Sequence, residues 1–260
     1  MGLFSGAKAQ ISGQKAIRAH ISANDLAKDG KVAAAEAKYQ EAQRLYEAAM
    51  KAPQKANIRQ GYAILLMRNG DFEQAKAVMQ EISRMKDLTE SDWFELRMNY
   101  SVCLWRLWRL DDAIATAQRA LNMKKSGALY STLGMYLVEK AAQTGDFAEI
   151  ERFNREAMDY DDEDAGIVDN VGAMYEAMSR HDADPGVRAR NRALAKQFYE
   201  KAHAIKPRQI VTMYNLAKLY HEDGEDDAAR KALAAAENLC YSGICPITEP
   251  MMQALKQEVG

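Results

Sequence analysis

The sequence has few cysteines, little net charge and no long apolar run, and each shortage excludes a class of protein. Three cysteines in 260 residues are too few for a disulfide framework, which predicts a reducing, cytoplasmic compartment. A formal net charge of −2 lacks the basic excess of a dedicated nucleic-acid binder, so no nucleic-acid partner is expected. No stretch approaches the roughly 18 apolar residues of a membrane span, so no membrane association is expected.

The first residues carry no recognisable targeting signal. Residues 1–6 lack the apolar core and the cleavage motif of a signal peptide. Gly6 stands where an N-acylation site needs Ser or Thr. Because residues 1–10 show no periodicity, we expect them to be disordered.

Motifs for catalysis and metal binding are also missing. The chain has no nucleophile elbow, phosphate loop, paired-histidine metal motif or dinucleotide-binding glycine cluster. The acidic run 159–164 is unlike a calcium loop, because Asp164 stands where Gly is needed and Asn170 where Glu is needed. We interpret it as a solvated loop that caps the next helix. Cys240 and Cys245 have no second pair to complete a metal shell. The sequence therefore predicts no catalytic residue, no metal site and no cofactor.

What the sequence has in abundance is helical hydrophobic periodicity. Near the C-terminal end, Leu216, Leu219 and Tyr220 recur at helical spacing, Gly224 interrupts the run, and the period resumes at Ala229. This pattern predicts two short helices around a tight turn. Such a hairpin exposes an apolar side that it cannot bury alone, so it must stack on copies of itself.

Five upstream segments repeat this pattern. The small residues that align in the first helices of the six copies are Ala23, Ala63, Ser101, Gly134, Gly172 and Ala217, with spacings of 40, 38, 33, 38 and 45 residues. Gly30, Gly70 and Gly145 occupy the turns of three copies, whereas the third turn, near Arg109, has no Gly. The sequence therefore predicts six irregular helix pairs.

Capping residues predict where several helices begin. The residues placed to cap or open a helix are Asp71, Thr89 with Asp92, Asp184 with Pro185, and Thr248. The last of them opens a helix that ends near Val259. We expect this final helix to cover the apolar face of the last repeat.

The stretch 213–236 resembles the tetratricopeptide repeat, whose first helix carries a bulky residue, Leu-Gly and Tyr, and whose second carries Ala, an aromatic residue and Pro. Here Met213 replaces Trp, Ala217 replaces Gly, and no Pro follows. The resemblance implies an all-α fold, an α-α superhelical solenoid of antiparallel helix pairs with a C-terminal capping helix. The predicted divisions are a disordered start at 1–10, the repeat solenoid at 11–237 and the capping segment at 238–260.

The resemblance also implies a function, which is non-catalytic binding of a protein or peptide in a concave groove lined by the first helices. In the family, the residue before the Leu-Gly-like pair points into this groove. Here those residues are Asn99, Asn170 and Asn215, with Gly61 and Thr132 interrupting the row. A row of Asn side chains can hydrogen-bond the backbone of an extended peptide without recognising its sequence.

Other side chains on the same faces extend the predicted site. Cationic and aromatic groups of this kind suit a peptide with an acidic or aromatic anchor. The further candidate contacts are Arg68, Trp105, Arg106, Tyr214 and Lys218.

Three alternatives to this interpretation remain open. In the first, Asn is simply common at this place in the family, and Trp105 and Trp108 belong to the core. The chain is alternatively a self-assembling structural protein whose repeats or tail form a homo-oligomer. The third alternative is an enzyme with a site at His181, Asp182 and Asp184.

Overall fold

The computed structural model describes residues 3–260, with side chains from Gly6 onward, and the predicted all-α fold class is confirmed. The described residues form thirteen helices that hold 77% of the chain, with no β-strand among them. The helices are α1 (Leu3–Lys28), α2 (Val32–Ala49), α3 (Ala56–Arg68), α4 (Phe72–Ile82), α5 (Glu90–Arg106), α6 (Leu110–Met123), α7 (Gly127–Thr144), α8 (Ala148–Tyr160), α9 (Ala165–His181), α10 (Pro185–Ile205), α11 (Ile210–Glu222), α12 (Asp226–Leu233) and α13 (Glu249–Val259).

The described chain begins with a helix and divides into two compact units. Residues 3–10 belong to α1, whereas the sequence predicted disorder over 1–10, and the first two residues lie outside the described part. The chain divides into two compact units. Unit 1 comprises Met1–Arg109 and Glu237–Ile244, and unit 2 comprises Leu110–Ala236 and Cys245–Gly260. The division falls inside the third predicted helix pair.

In unit 1, the helix pairs are held together by a face of Ala and Tyr side chains. The buried residues of α2 are Ala35, Tyr39, Ala42, Tyr46 and Ala49, which recur at alternating steps of four and three and so lie along one side of the helix. The Tyr46 and Tyr62 rings lie 5.7 Å apart between α2 and α3. The small Ala residues let the helices approach closely, and the Tyr rings fill the space between them.

In unit 2, the last helix has the role that the sequence predicted for it. Helix α13 packs against α11 and α12, and its residues Met252, Leu255 and Val259 are buried. Thr248 caps its start, since the Thr248 hydroxyl accepts a bond from the Met251 amide at 3.4 Å.

Most of the predicted caps are confirmed. Thr89 and Asp92 form a complete capping box at α5. Asp164 and Asp184 accept main-chain N–H groups at the starts of α9 and α10. The prediction for Asp71 is wrong, because its side chain makes no capping bond although it occupies the N-cap position of α4.

Candidate functional site

In unit 1, Arg68 is already engaged by other residues of the chain. Its guanidinium forms an ion pair with Glu36, lies 3.5 Å from the centroid of the Tyr39 ring and lies 3.3 Å from the Cys240 sulfur. Burial, followed by the charge of Arg68, lowers the pKa of nearby His20 to about 4, so that imidazole is neutral. A stacked and paired guanidinium of this kind is largely inaccessible to solvent, and the Arg68 side chain is only 11% exposed.

The segment Glu237–Ile244 supplies Cys240 and belongs to unit 1 although it lies far along the chain. The Gly243 amide donates to the Arg68 carbonyl at 2.7 Å. A Cβ atom at Gly243 would lie 2.6 Å from the Met67 carbonyl oxygen and 2.8 Å from the Gly70 nitrogen. Only glycine fits so close to main-chain atoms, so position 243 requires glycine because its backbone lies against the backbone at the end of α3. Burial raises the pKa of the Cys240 thiol, which is therefore protonated at neutral pH.

Helix α5 carries three further predicted contacts of unit 1, and they differ in exposure and in hydrogen bonding. Asn99 is partly exposed, and its amide has no hydrogen-bond partner among the described residues. Arg106 lies over the Phe72 and Trp105 rings at 5.2 and 5.3 Å, and its Nε is buried without a partner among the described residues. Trp105 is partly buried. Asn99 and Arg106 are seven residues apart on one helix, so they share a face.

In unit 2, Asn170 points into the protein rather than into solvent. Its side chain is 6% exposed, and its amide nitrogen donates to the Ser131 carbonyl at 2.7 Å. The lack of a side chain at Gly134 makes room for it, because a Cβ atom there would lie 2.6 Å from the Asn170 amide nitrogen. Asn170 therefore holds α9 against α7.

Helix α11 presents the remaining predicted contacts of unit 2. Tyr214 and Asn215 are partly exposed, and neither side chain has a partner among the described residues. Lys218 forms a loose ion pair with Glu222 at 3.6 Å. Lys218 lies four residues after Tyr214 and three after Asn215, so it neighbours both side chains on the surface of α11. In this unit, the predicted contacts therefore form one group on α11, and Asn170 is not part of its exposed surface.

Sequence reasoning missed a buried carboxyl next to Asn170. Asp169 is 4% exposed, and one of its oxygens has no partner among the described residues. Burial raises the pKa of this carboxyl to about 7; a bond from the Thr212 hydroxyl opposes the rise, and the charge of Glu176 adds to it. The Tyr199 hydroxyl donates to Glu176 at 2.6 Å nearby. The apolar neighbours Ile167 and Val168 were the available signal in the sequence.

The alternative enzyme site consists of residues with structural roles. The Nε2 atom of His181 lies 2.8 Å from the Ala142 carbonyl. The Asp182 carboxyl accepts the Asp184 amide at 2.9 Å, and the Asp184 carboxyl caps α10. The first contact joins the end of α9 to α7, and the other contacts fix the turn between α9 and α10.

Neither a membrane span nor a metal cluster is present in the described part of the chain. None of its helices combines the length and the apolar composition that crossing a bilayer requires. Within the same residues, no group of three or more His, Cys, Asp or Glu side chains is arranged to hold a metal ion. The three cysteines are free thiols.

Comparison with known proteins identifies a repeat family in one segment of unit 1. The tetratricopeptide repeat model matches residues 33–96, which run from α2 into α5. No curated protein is significantly similar to the chain in sequence.

Solved structures with the same fold cover much of the chain. A tetratricopeptide repeat protein from Parabacteroides merdae ATCC 43184 has a TM-score of 0.53 at 12% identity, covering 95% of this chain and 85% of that one. A thermophilic tetratricopeptide repeat protein from Thermus thermophilus has a TM-score of 0.52 at 18% identity, covering 64% and 80%. The human IFIT1 dimer with m7Gppp-AAAA has a TM-score of 0.60 at 16% identity, covering 85% of this chain and 48% of IFIT1.

At these identities the structural likenesses show the fold alone. The family match over residues 33–96 adds the sequence signature of the repeat, and the left-handed glycines at the hairpin turns follow the same pattern. Residues 33–96 match the tetratricopeptide repeat family, the described helices share the fold of tetratricopeptide repeat proteins, and such proteins are generally non-catalytic scaffolds for protein interactions.

Proposed function

We propose that this protein binds an extended peptide segment of a protein partner. The observation that carries the proposal is the state of Asn99 and Asn215, whose partly buried amides have no hydrogen-bond partner among the described residues. Each amide keeps one acceptor and two donors for a ligand. A polar group that is partly removed from water gains more from a new hydrogen bond than a fully solvated one.

An extended peptide backbone has the matching chemistry. It presents alternating N–H and C=O groups, which an Asn side chain contacts without distinguishing the peptide's residues. Selectivity then rests on neighbouring groups. In unit 2, Tyr214 beside Asn215 offers an aromatic surface, and Lys218 offers a positive charge. In unit 1, Arg106 on the Asn99 face offers a second positive charge, so a peptide with an acidic or aromatic anchor is favoured.

Two of the predicted contacts are less suited to bind a peptide, because they already have partners within the chain. A ligand that used Asn170 would have to replace its bond to the Ser131 carbonyl. A ligand that used Arg68 would have to displace Glu36 and the segment that carries Cys240. The proposal therefore rests first on Asn99 and Asn215, with Arg106, Tyr214 and Lys218 as their neighbours.

A phage-displayed peptide library tests the proposal, because it samples many peptide sequences at once. The wild-type chain is expected to enrich peptides, and calorimetric titration should show that each synthetic peptide binds more weakly to Asn99→Ala or to Asn215→Ala, according to the unit that holds its site. Loss of a single good hydrogen bond weakens binding about tenfold. Asn122→Ala is the matched control, since Asn122 is an exposed Asn on α6, and it should bind as the wild type does. Equal affinity in all four proteins would exclude these amides as contacts.

A further inference from the structure

The turn between α5 and α6 contains a residue that the other turns avoid. In four hairpin turns the left-handed position is Gly, namely Gly30, Gly70, Gly145 and Gly224, with φ between 73° and 87°. The corresponding residue after α5 is Trp108, with φ of 61°. A left-handed conformation is strained for a residue with a Cβ atom and costs Gly nothing.

The hydrogen bonds show that this turn is equivalent to the turn at Gly70. The Trp108 amide donates to the Trp105 carbonyl at 2.9 Å, and the next amide, of Arg109, donates to the Leu104 carbonyl at 3.0 Å. The Gly70 amide makes the same bond to the carbonyl three residues before it, at 3.0 Å. Trp108 therefore occupies a position at the end of a helix where Gly is the least strained choice.

The Trp108 side chain is too exposed to offset this backbone strain by packing within unit 1. Trp108 is 89% exposed, the largest value among the large hydrophobic residues of the described chain. An indole in water is unfavourable, whereas a Trp buried at an interface contributes strongly to binding. The expected alternative that Trp108 belongs to the core is therefore wrong, and the residue has the properties of a binding contact.

The residues around Trp108 indicate the charge of its partner. Trp108 and Arg106 bring an indole and a guanidinium group together in residues 105–109, which we call the Trp108 turn. Asp111, which follows it, is paired with Lys140 at 2.9 Å. Indole and guanidinium groups together suit an acidic surface that also carries an aromatic ring.

The chain itself contains such a surface in unit 2. The acidic loop, residues 159–164, has five carboxylates in six residues, and its Tyr160 is 45% exposed. The loop begins with the last two residues of α8, so the partial negative charge at the C-terminal end of the helix adds to that of the carboxylates. Of these carboxylates, Asp162 lies 3.5 Å from Lys201 and Asp164 caps α9. The loop is therefore short of positive charge.

We propose that the Trp108 turn of one copy of this protein binds the acidic loop of a second copy. Each copy would present both surfaces, so the contact is head-to-tail and can continue beyond a dimer. An interface built on one turn and one loop is small, so the association is expected to be weak and reversible. Because it joins opposite charges near the surface, it should weaken as salt is added. The Trp108 turn shares Arg106 with the proposed peptide site, so the tests below change only Trp108 and the acidic loop, which the peptide proposal does not use.

Sedimentation velocity over protein concentrations from about 10 to 500 μM tests the contact. The wild type is expected to exceed its monomer mass of 29.1 kDa as the concentration rises, and less so at high salt. Trp108→Gly should weaken the association about 30-fold or more, as loss of an interface hot spot does. The same substitution relieves the strained turn, so its melting temperature should rise, which separates lost association from misfolding.

Complementation identifies the partner surface. A triple variant with Asp161→Asn, Asp162→Asn and Glu163→Gln keeps the Asp164 cap and should also remain monomeric. When it is mixed with Trp108→Gly, one intact turn meets one intact loop, so the mixture should form dimers and nothing larger. A matched control, Ile21→Ala, removes another exposed apolar side chain of unit 1 and should associate as the wild type does.

Three results would overturn the proposal. They are a wild type that is monomeric at every concentration, an association that Trp108→Gly leaves unchanged, and a mixture of the two variants that stays monomeric.

Discussion

The buried carboxyl of Asp169 makes the stability of unit 2 depend on pH. In the unfolded chain this group loses its proton near pH 3.8, whereas in the folded chain it keeps the proton up to about pH 7. Between those values the folded state binds more protons, so stability falls as pH rises. The contribution is fully present below about pH 4 and is lost by the time the pH has risen through about 7.

The magnitude follows from the difference in pKa. About three pKa units at 1.36 kcal/mol each correspond to roughly 4 kcal/mol. No reduction for solvent screening applies, because Asp169 is buried. The Asp169→Asn variant keeps an oxygen for the Thr212 hydroxyl and cannot ionise. It should match the wild type near pH 4 and exceed its free energy of unfolding by about 4 kcal/mol at pH 8.

Urea denaturation followed by far-UV circular dichroism, at intervals from pH 4 to pH 8.5, measures this difference. All three tryptophans, Trp93, Trp105 and Trp108, belong to unit 1, so fluorescence follows that unit separately. Asp159→Asn is the control, because Asp159 is exposed, and it should show no such trend. A difference between wild type and Asp169→Asn that is constant with pH, or that favours the wild type at pH 8, would refute the argument.

Further substitutions test the packing of each unit. Gly243→Ala places a Cβ atom 2.6 Å from a main-chain oxygen of α3, so hydrogen exchange at residues 237–244 should accelerate at least tenfold, while Gly6→Ala, in open space, should leave it unchanged. Gly172→Ala brings a Cβ atom 2.8 Å from the Tyr199 ring and should lower the free energy of unfolding by about 1–3 kcal/mol in urea titrations. Asp164→Ala removes the α9 cap and should cost about 1 kcal/mol in the same assay.

The helices could be predicted from the sequence because their signals are local. Helical periodicity, the left-handed glycines and the capping residues each depend on a few consecutive residues, and they gave the fold class and most helix starts. The prediction of a cap at Asp71 was wrong because a suitable residue type at the N-cap position does not guarantee the side-chain hydrogen bond. The position of residues 237–244 in unit 1 depends on contacts across more than 100 residues, which no local pattern contains.

Whether each predicted Asn is buried or exposed depends on a neighbouring helix. Asn170 is buried because Gly134 on α7 leaves room for its amide. At Gly172, the equivalent small residue of α9, the ring of Tyr199 takes the space instead, and Asn215 on α11 stays partly exposed. Residues at the same place in the repeat therefore have different surroundings. One repeat considered alone cannot distinguish them, because the deciding atoms belong to the preceding helix pair.

The same comparison ranks the candidate contacts for a peptide. Arg68 already contacts the segment that carries Cys240 and Gly243, so a ligand there must first displace part of the chain. Asn215 has no partner to displace among the described residues. We therefore expect Asn215→Ala to weaken binding of a selected peptide more than Arg68→Ala does, in parallel calorimetric titrations. The reverse order would mean that the peptide replaces residues 237–244 on unit 1, and Gly243→Ala, which loosens that segment, would then bind more tightly than the wild type.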